Sequence, residues 1–120
     1  MDPSVYGPHY WGTLHIAALY GESLEDFKTL AKSYTTLLPC KKCRRHYTQV
    51  LAEYPVDSVT LPFEWSVAVH NIVNKRIGKP VMTLEQAWDF WTQPQVRIPW
   101  ATISMVLLVL LIIILLSKGK

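Results

Sequence analysis

Residues 100–116 read WATISMVLLVLLIIILL, with only Thr102 and Ser104 as weakly polar interruptions. No other stretch restricts the fold as severely. The 18 residues from Pro99 to Leu116 make a helix of about 27 Å, close to the thickness of a bilayer core. A core helix of a globular domain would carry a polar stripe, and this run has none. We read residues 99–117 as one transmembrane helix, 118–120 as a short basic tail, and 1–98 as the single domain outside the membrane. The N-terminus MDPSVYGPHYWG shows neither a basic segment followed by an apolar one nor an Arg-rich transit pattern. The expectation is therefore a tail-anchored protein whose domain stays on the cytosolic side. Arg97 before the span and Lys118 and Lys120 after it are too evenly balanced to set orientation.

Residues 1–98 hold ten Lys/Arg and nine Asp/Glu. A near-neutral domain gives no reason to expect nucleic acid as a partner. The cations do gather at one place: Lys41, Lys42, Arg44 and Arg45 surround the only two cysteines, Cys40 and Cys43.

The domain reads as helical throughout, because no segment sustains a period-2 alternation of β-branched residues. A first helix is expected from about Pro8 to Tyr20, with Trp11, Leu14, His15, Ala18 and Leu19 on one face and Gly21 as its stop. Ser23 caps a second helix carrying Phe27, Leu30, Ala31, Tyr34 and Leu37 at helical spacing. Pro39 forces a break before a third, Cys40–Tyr54. Pro55 and Pro62 bracket a loop. A fourth runs from about Phe63 to Ile77 and stops at Gly78 and Pro80. Thr83 and Gln86 form a capping box for a short fifth helix, Leu84–Trp91. Pro94 and Pro99 separate the domain from the span. Short connections between such helices imply an antiparallel four-helix bundle with the fifth helix across it.

The pair Cys40-Lys41-Lys42-Cys43 admits three readings. It could be structural. It could join His46 and His70 in a two-Cys, two-His zinc site, as in a non-enzymatic membrane adaptor, although four flanking cations oppose a divalent ion. Or it is redox-active: a cysteine just after Pro39 sits at a helix N-terminus, where unpaired N–H groups and nearby cations favour the thiolate. Thiolate is the attacking and leaving species in disulfide exchange. A thioredoxin-type sheet is not on offer, so a helical redox protein needs an organic cofactor to accept two electrons. Candidate cofactor contacts are Trp11 and His15, four apart on one helix face; His46, three after Cys43; and His70, Asn71 and Asn74 within one turn. Lys75, Arg76 and Lys79 follow at a helix end, and Trp88 and Trp91 lie three apart. Each has a structural alternative, but two asparagines beside His70 inside a helix suit polar ligand contacts.

These residues fall into three motifs: Gly7-x3-Trp11-x2-Leu14-His15, Pro39-Cys40-x2-Cys43-x2-His46-Tyr47, and Trp65-x4-His70-Asn71-x-Val73-Asn74-x3-Gly78-Lys79-Pro80. In order and spacing the chain resembles the Erv/ALR flavin-linked sulfhydryl oxidases over residues 5–91, most of all the short forms of large cytoplasmic DNA viruses. The resemblance implies an all-α bundle, usually a homodimer, holding FAD non-covalently. It implies FAD contacts from Gly7, Trp11, His15, Cys43, His46, His70, Asn71, Asn74, Lys75, Lys79 and Trp91, with no metal ligand. It makes Cys43 the flavin-proximal sulfur and Cys40 the one that substrate thiols attack, with dioxygen as acceptor and hydrogen peroxide as product. Cellular members carry a second disulfide whose positions here are Val67 and Leu84, so an apolar contact is expected in its place. The shuttle cysteine pair of many relatives is missing, so a dithiol protein or a thioredoxin-like carrier must meet Cys40 directly. A membrane of the host or virion is the implied location.

Overall fold

The computed structural model describes residues 1–93 and 99–119. Its described residues form six α-helices and no strand: α1 Pro3–Tyr20, α2 Leu24–Leu37, α3 Lys41–Glu53, α4 Pro62–Arg76, α5 Leu84–Thr92 and α6 Trp100–Lys118. A single 3₁₀ turn, Val56–Ser58, lies between α3 and α4.

Capping residues set most boundaries. Ser23 Oγ accepts a hydrogen bond from Asp26 N at 3.1 Å, and Glu25 and Asp26 place negative charge in the first turn of α2, where the helix dipole favours it. Thr83 Oγ1 accepts from Gln86 N while Thr83 N donates to Gln86 Oε1, which completes the expected capping box of α5. α1 starts five residues before the expected Pro8, because Asp2 caps it by accepting from Ser4 N at 2.8 Å and Pro3 fills the first helical position. Pro8 is therefore interior to α1, where it removes one donor from the helix ladder.

α4 ends in a Schellman motif. Gly78 takes φ +71°, Lys79 N donates to Asn74 O at 2.8 Å and Gly78 N to Lys75 O at 3.4 Å. A Cβ at Gly78 would meet no neighbour within 4 Å, so only the backbone conformation resists substitution there. Gly78→Ala is expected to lower the unfolding free energy of the full chain by ~1–2 kcal/mol. Urea unfolding in detergent measures it, and an unchanged midpoint would contradict the left-handed assignment.

α1 packs chiefly on α4 and α2 on α3, which closes the four-helix bundle. Leu14, Phe27, Ala31, Tyr34, Tyr47, Val50 and Val69 form its core, with Val56 and Val59 of the α3–α4 connection tucked beneath. Fully burying a side chain such as Leu14 or Val69 contributes roughly 1.5–3 kcal/mol. Tyrosine hydroxyls tie the layers together through backbone carbonyls: Tyr34 to Tyr10 O, Tyr47 to Ala31 O and Tyr10 to Leu37 O. Leu37 itself is exposed rather than in the core face expected for it; Leu38, one residue on, turns inward and lines the central cavity.

A second, smaller cluster seats α5. Phe63, Val67 and Ala87 are buried together, with Trp91, Ala18 and Leu19 against them. The apolar contact expected between Val67 and Leu84 is thus made to Ala87 instead. Leu84 is the first residue of α5 and stays 41 % exposed, whereas Ala87, one turn further on, faces the bundle. Gly12 lets the two layers approach, since a Cβ there would come within 3.3 Å of the Trp91 ring.

α6 is long and apolar enough to cross a membrane: 19 residues, mean hydropathy 2.8, none buried against the rest of the chain. It begins and ends within one residue of the expected 99–117 span. Pro94, Arg97 and Lys120, and with them the expected boundary at residue 98, lie outside the described residues.

Candidate functional site

A cavity of about 710 Å³ opens between the helices, within the range usual for small-molecule sites. Every helix of the bundle contributes to its wall, as does α5.

The cysteines are joined as a disulfide in that wall. Cys40 is the N-cap of α3, in extended conformation, and its Sγ accepts from Cys43 N at 3.1 Å. The fold thus places the sulfurs at the electropositive end of α3. Lys41 and Lys42 are exposed beside them, and Arg44 donates to Leu38 O at 2.5 Å, which fixes the chain leading into Cys40. Cys43 lies one turn into the helix, on the side of His46 and Tyr47, and all three line the cavity.

The same cavity is lined by a stack of flat rings. Trp11 and His70 are parallel within 7°, with centroids 4.2 Å apart. His15 continues the stack, 5.2 Å from His70 and 5.2 Å from Trp91. His15 is buried at 2 % exposure and hydrogen-bonded at both nitrogens: Nδ1 to Ser66 Oγ and Nε2 to His70 Nδ1, each at 2.9 Å. Burial pushes His15 down to about 4, helped by the charge His70 would carry. Burial likewise takes His70 to about 4, with Lys79 adding to the effect. Both imidazoles are therefore neutral near pH 7.

Of the residues expected at a cofactor, Gly7, Trp11, His15, Cys43, His46, His70, Asn71, Asn74, Lys79 and Trp91 all line the cavity. Lys75 does not. It sits about 100° round the helix from Asn74 and is exposed. Arg76, bonded to His46 O at 3.5 Å, takes a place in the wall instead. The two asparagines prove to have a structural task as well. Asn71 pairs with the Met82 backbone in both directions, Nδ2 to O at 2.6 Å and Oδ1 from N at 3.0 Å, and Asn74 Nδ2 donates to Pro80 O at 3.2 Å. They strap the α4–α5 connection to α4.

Sequence reasoning missed two residues. Tyr6 is buried in the cavity wall, and among the described residues its hydroxyl has no hydrogen-bond partner. Ser66 supports His15 from behind. Its position four residues before His70, on the same face of α4, was the one available signal.

Among the described residues no group of three or more His, Cys, Asp or Glu is placed to hold a metal ion, and the two sulfurs are bonded to each other. The zinc alternative built on Cys40, Cys43, His46 and His70 therefore lacks its ligand set. The cavity does suit a large planar cofactor. Its wall holds parallel rings, a disulfide, the cations Lys42, Arg76 and Lys79, and a buried tyrosine hydroxyl with no partner among the described residues.

Comparison with known proteins gives this arrangement a family. The Erv1/Alr family model matches residues 8–93. The chain belongs to the Erv1/Alr family. A probable FAD-linked sulfhydryl oxidase of Acanthamoeba polyphaga mimivirus is 33 % identical over 98 residues, covering 72 % of this chain and 68 % of the relative. An FAD-linked sulfhydryl oxidase of African swine fever virus (isolate Tick/Malawi/Lil 20-1/1983) is 28 % identical over 97 residues, covering 73 % and 81 %. One from Oryza sativa subsp. japonica is 32 % identical over 89 residues, covering 68 % of this chain and 46 % of its own. No solved structure matches. In this Erv1/Alr chain the family match spans α1 from Pro8 through the end of α5 and leaves α6 outside it.

Proposed function

We propose that this chain is an FAD-linked thiol oxidase that converts dithiols of partner proteins into disulfides through Cys40 and Cys43. The observation that carries the reading is a disulfide at a helix N-terminus in the wall of an aromatic-lined cavity.

A substrate thiolate attacks Cys40 Sγ. The Cys40–Cys43 bond breaks and Cys43 leaves as thiolate, stabilised by the N-terminus of α3 and the cations around it. The substrate's second thiol then attacks its own sulfur in the mixed disulfide, which releases Cys40 and the oxidised substrate. Both thiols of the pair are now reduced. FAD, when bound, supplies the two-electron acceptor that restores the disulfide and passes the electrons to dioxygen, yielding hydrogen peroxide. Trp11, His15, His70 and Trp91 would hold the ring system by stacking, Lys42, Arg76 and Lys79 would meet its phosphates, and His46 would flank Cys43. Both sulfurs line the cavity; Cys43 is assigned the cofactor side on the family resemblance, with His46 and Tyr47 beside it on its helix face.

The helix Trp100–Lys118 would anchor the domain to a membrane. We place the domain on the cytosolic face, where reducing conditions leave protein dithiols in need of a dedicated electron acceptor.

The full chain, purified in detergent, is expected to carry a flavin absorbance spectrum and to consume dithiol substrate and oxygen with one peroxide formed per disulfide. Protein that retains no flavin after expression or reconstitution would end the proposal.

A further inference from the structure

Ser66 lies outside the cavity wall, in contact with His15, which lines it. Its hydroxyl has one proton, and at 2.8 Å from Phe63 O that proton is committed to the carbonyl. Toward His15 Nδ1, 2.9 Å away, Ser66 Oγ is then an acceptor, so His15 carries its proton on Nδ1. Neutral His15 has a bare Nε2, which at 2.9 Å from His70 Nδ1 requires a proton on that nitrogen. Neutral His70 is left with an unprotonated Nε2, which has no hydrogen-bond partner among the described residues. The reverse order, with Ser66 donating to His15, gives up the bond to Phe63 and keeps two hydrogen bonds rather than three. Burial keeps both rings neutral.

We propose that Ser66 is a positioning residue that sets the tautomers of His15 and His70, so that His70 presents Nε2 to the cavity as a hydrogen-bond acceptor. Trp11 covers the face of the His70 ring at 4.2 Å, so that nitrogen is approached edge-on. The ligand it selects is one that offers an N–H or O–H there, and a bare carbonyl oxygen is repelled by the lone pair. On FAD, such donors are the ring imide, the sugar and ribityl hydroxyls and the adenine amine. Naming the ligand as FAD rests on the thiol-oxidase reading; the tautomers do not.

The test is long-range ¹H–¹⁵N correlation of the histidine rings in the ¹⁵N-labelled full chain in detergent, at neutral pH. Wild type should show both His15 and His70 protonated on Nδ1. In Ser66→Ala the acceptor behind His15 is gone, so both rings should shift to the Nε2–H form, with flavin affinity falling about tenfold. Ser66→Thr, which keeps a hydroxyl, should restore the wild-type pattern. An Nε2–H signal from either ring in wild type would overturn the proposal, as would Ser66→Ala rings that keep their tautomers. Wild-type resonances suffice even if the alanine variant fails to fold. Failure of the oxidase reading would show separately, as wild-type protein with the expected tautomers and no flavin-dependent thiol consumption.

Discussion

Cys43→Ser is expected to keep bound flavin and to lose thiol-dependent peroxide formation by on the order of 10³-fold or more. The fold should tolerate the change. Cys43 is half-buried on the first turn of α3, serine is smaller, and the capping bond to Cys40 Sγ comes from the backbone N–H of residue 43, which the substitution leaves in place. The chemistry should not tolerate it. Without a second sulfur there is no Cys40–Cys43 bond for a substrate thiolate to break and no leaving group on the cofactor side. The remaining Cys40 is a thiol, so reduced substrate finds no disulfide to exchange with and no mixed-disulfide adduct should accumulate. Flavin absorbance, oxygen uptake and non-reducing gels on one preparation give the three readings. Sustained turnover by Cys43→Ser would refute the assignment, and loss of flavin would show that the sulfur acts in binding rather than in electron transfer.

Acid should destabilise the flavin-free full chain through His15 and His70. Both are lowered to about 4 in the folded protein, against a value near 6.5 in an unfolded chain. Between those limits the unfolded state binds more protons, so stability rises with pH there. The favourable difference is nearly complete above about pH 6.5. It is lost progressively as pH falls toward 4, because unfolding then frees two rings to protonate. From pH 7 to pH 5 the pair should cost ~2–4 kcal/mol, a fall in melting temperature of about 10 °C or more for a domain of this size. Thermal unfolding in detergent at the two pH values measures it. A stability that is flat across this window would mean that the histidines titrate normally and that the hydrogen-bonded pair does not persist in solution. Flavin in the cavity should raise stability at both pH values, since a ligand bound only by the folded state adds its own stabilisation.

The strap formed by Asn71 and Asn74 changes how the third sequence motif is understood. Asparagines inside a helix point to polar contacts of some kind, and the sequence offers no means of choosing between a ligand and the chain's own backbone. Here the backbone of residues 80–82 takes much of their capacity. Both residues still line the cavity, so the strap and the site are built from the same side chains.

What the sequence alone determined is whatever depends on neighbours three or four residues away, or on a long uniform run. The caps at Ser23 and Thr83, the stop at Gly78, the cysteine pair at the start of α3 and the apolar helix near the C-terminus are all of this kind, since helix signals are local in origin. Even there, the start of α1 escaped, because Asp2 as a cap outweighed Pro8 as a presumed boundary. Only the tertiary structure decided which faces meet. It joined His15 to Ser66 and His70 across 51 and 55 residues, put Ala87 rather than Leu84 against Val67, and kept Lys75 out of the cavity while admitting Arg76. Such pairings follow from how helices cross and rotate against one another, and that geometry is set by the packing of the whole core rather than by any local stretch of residues.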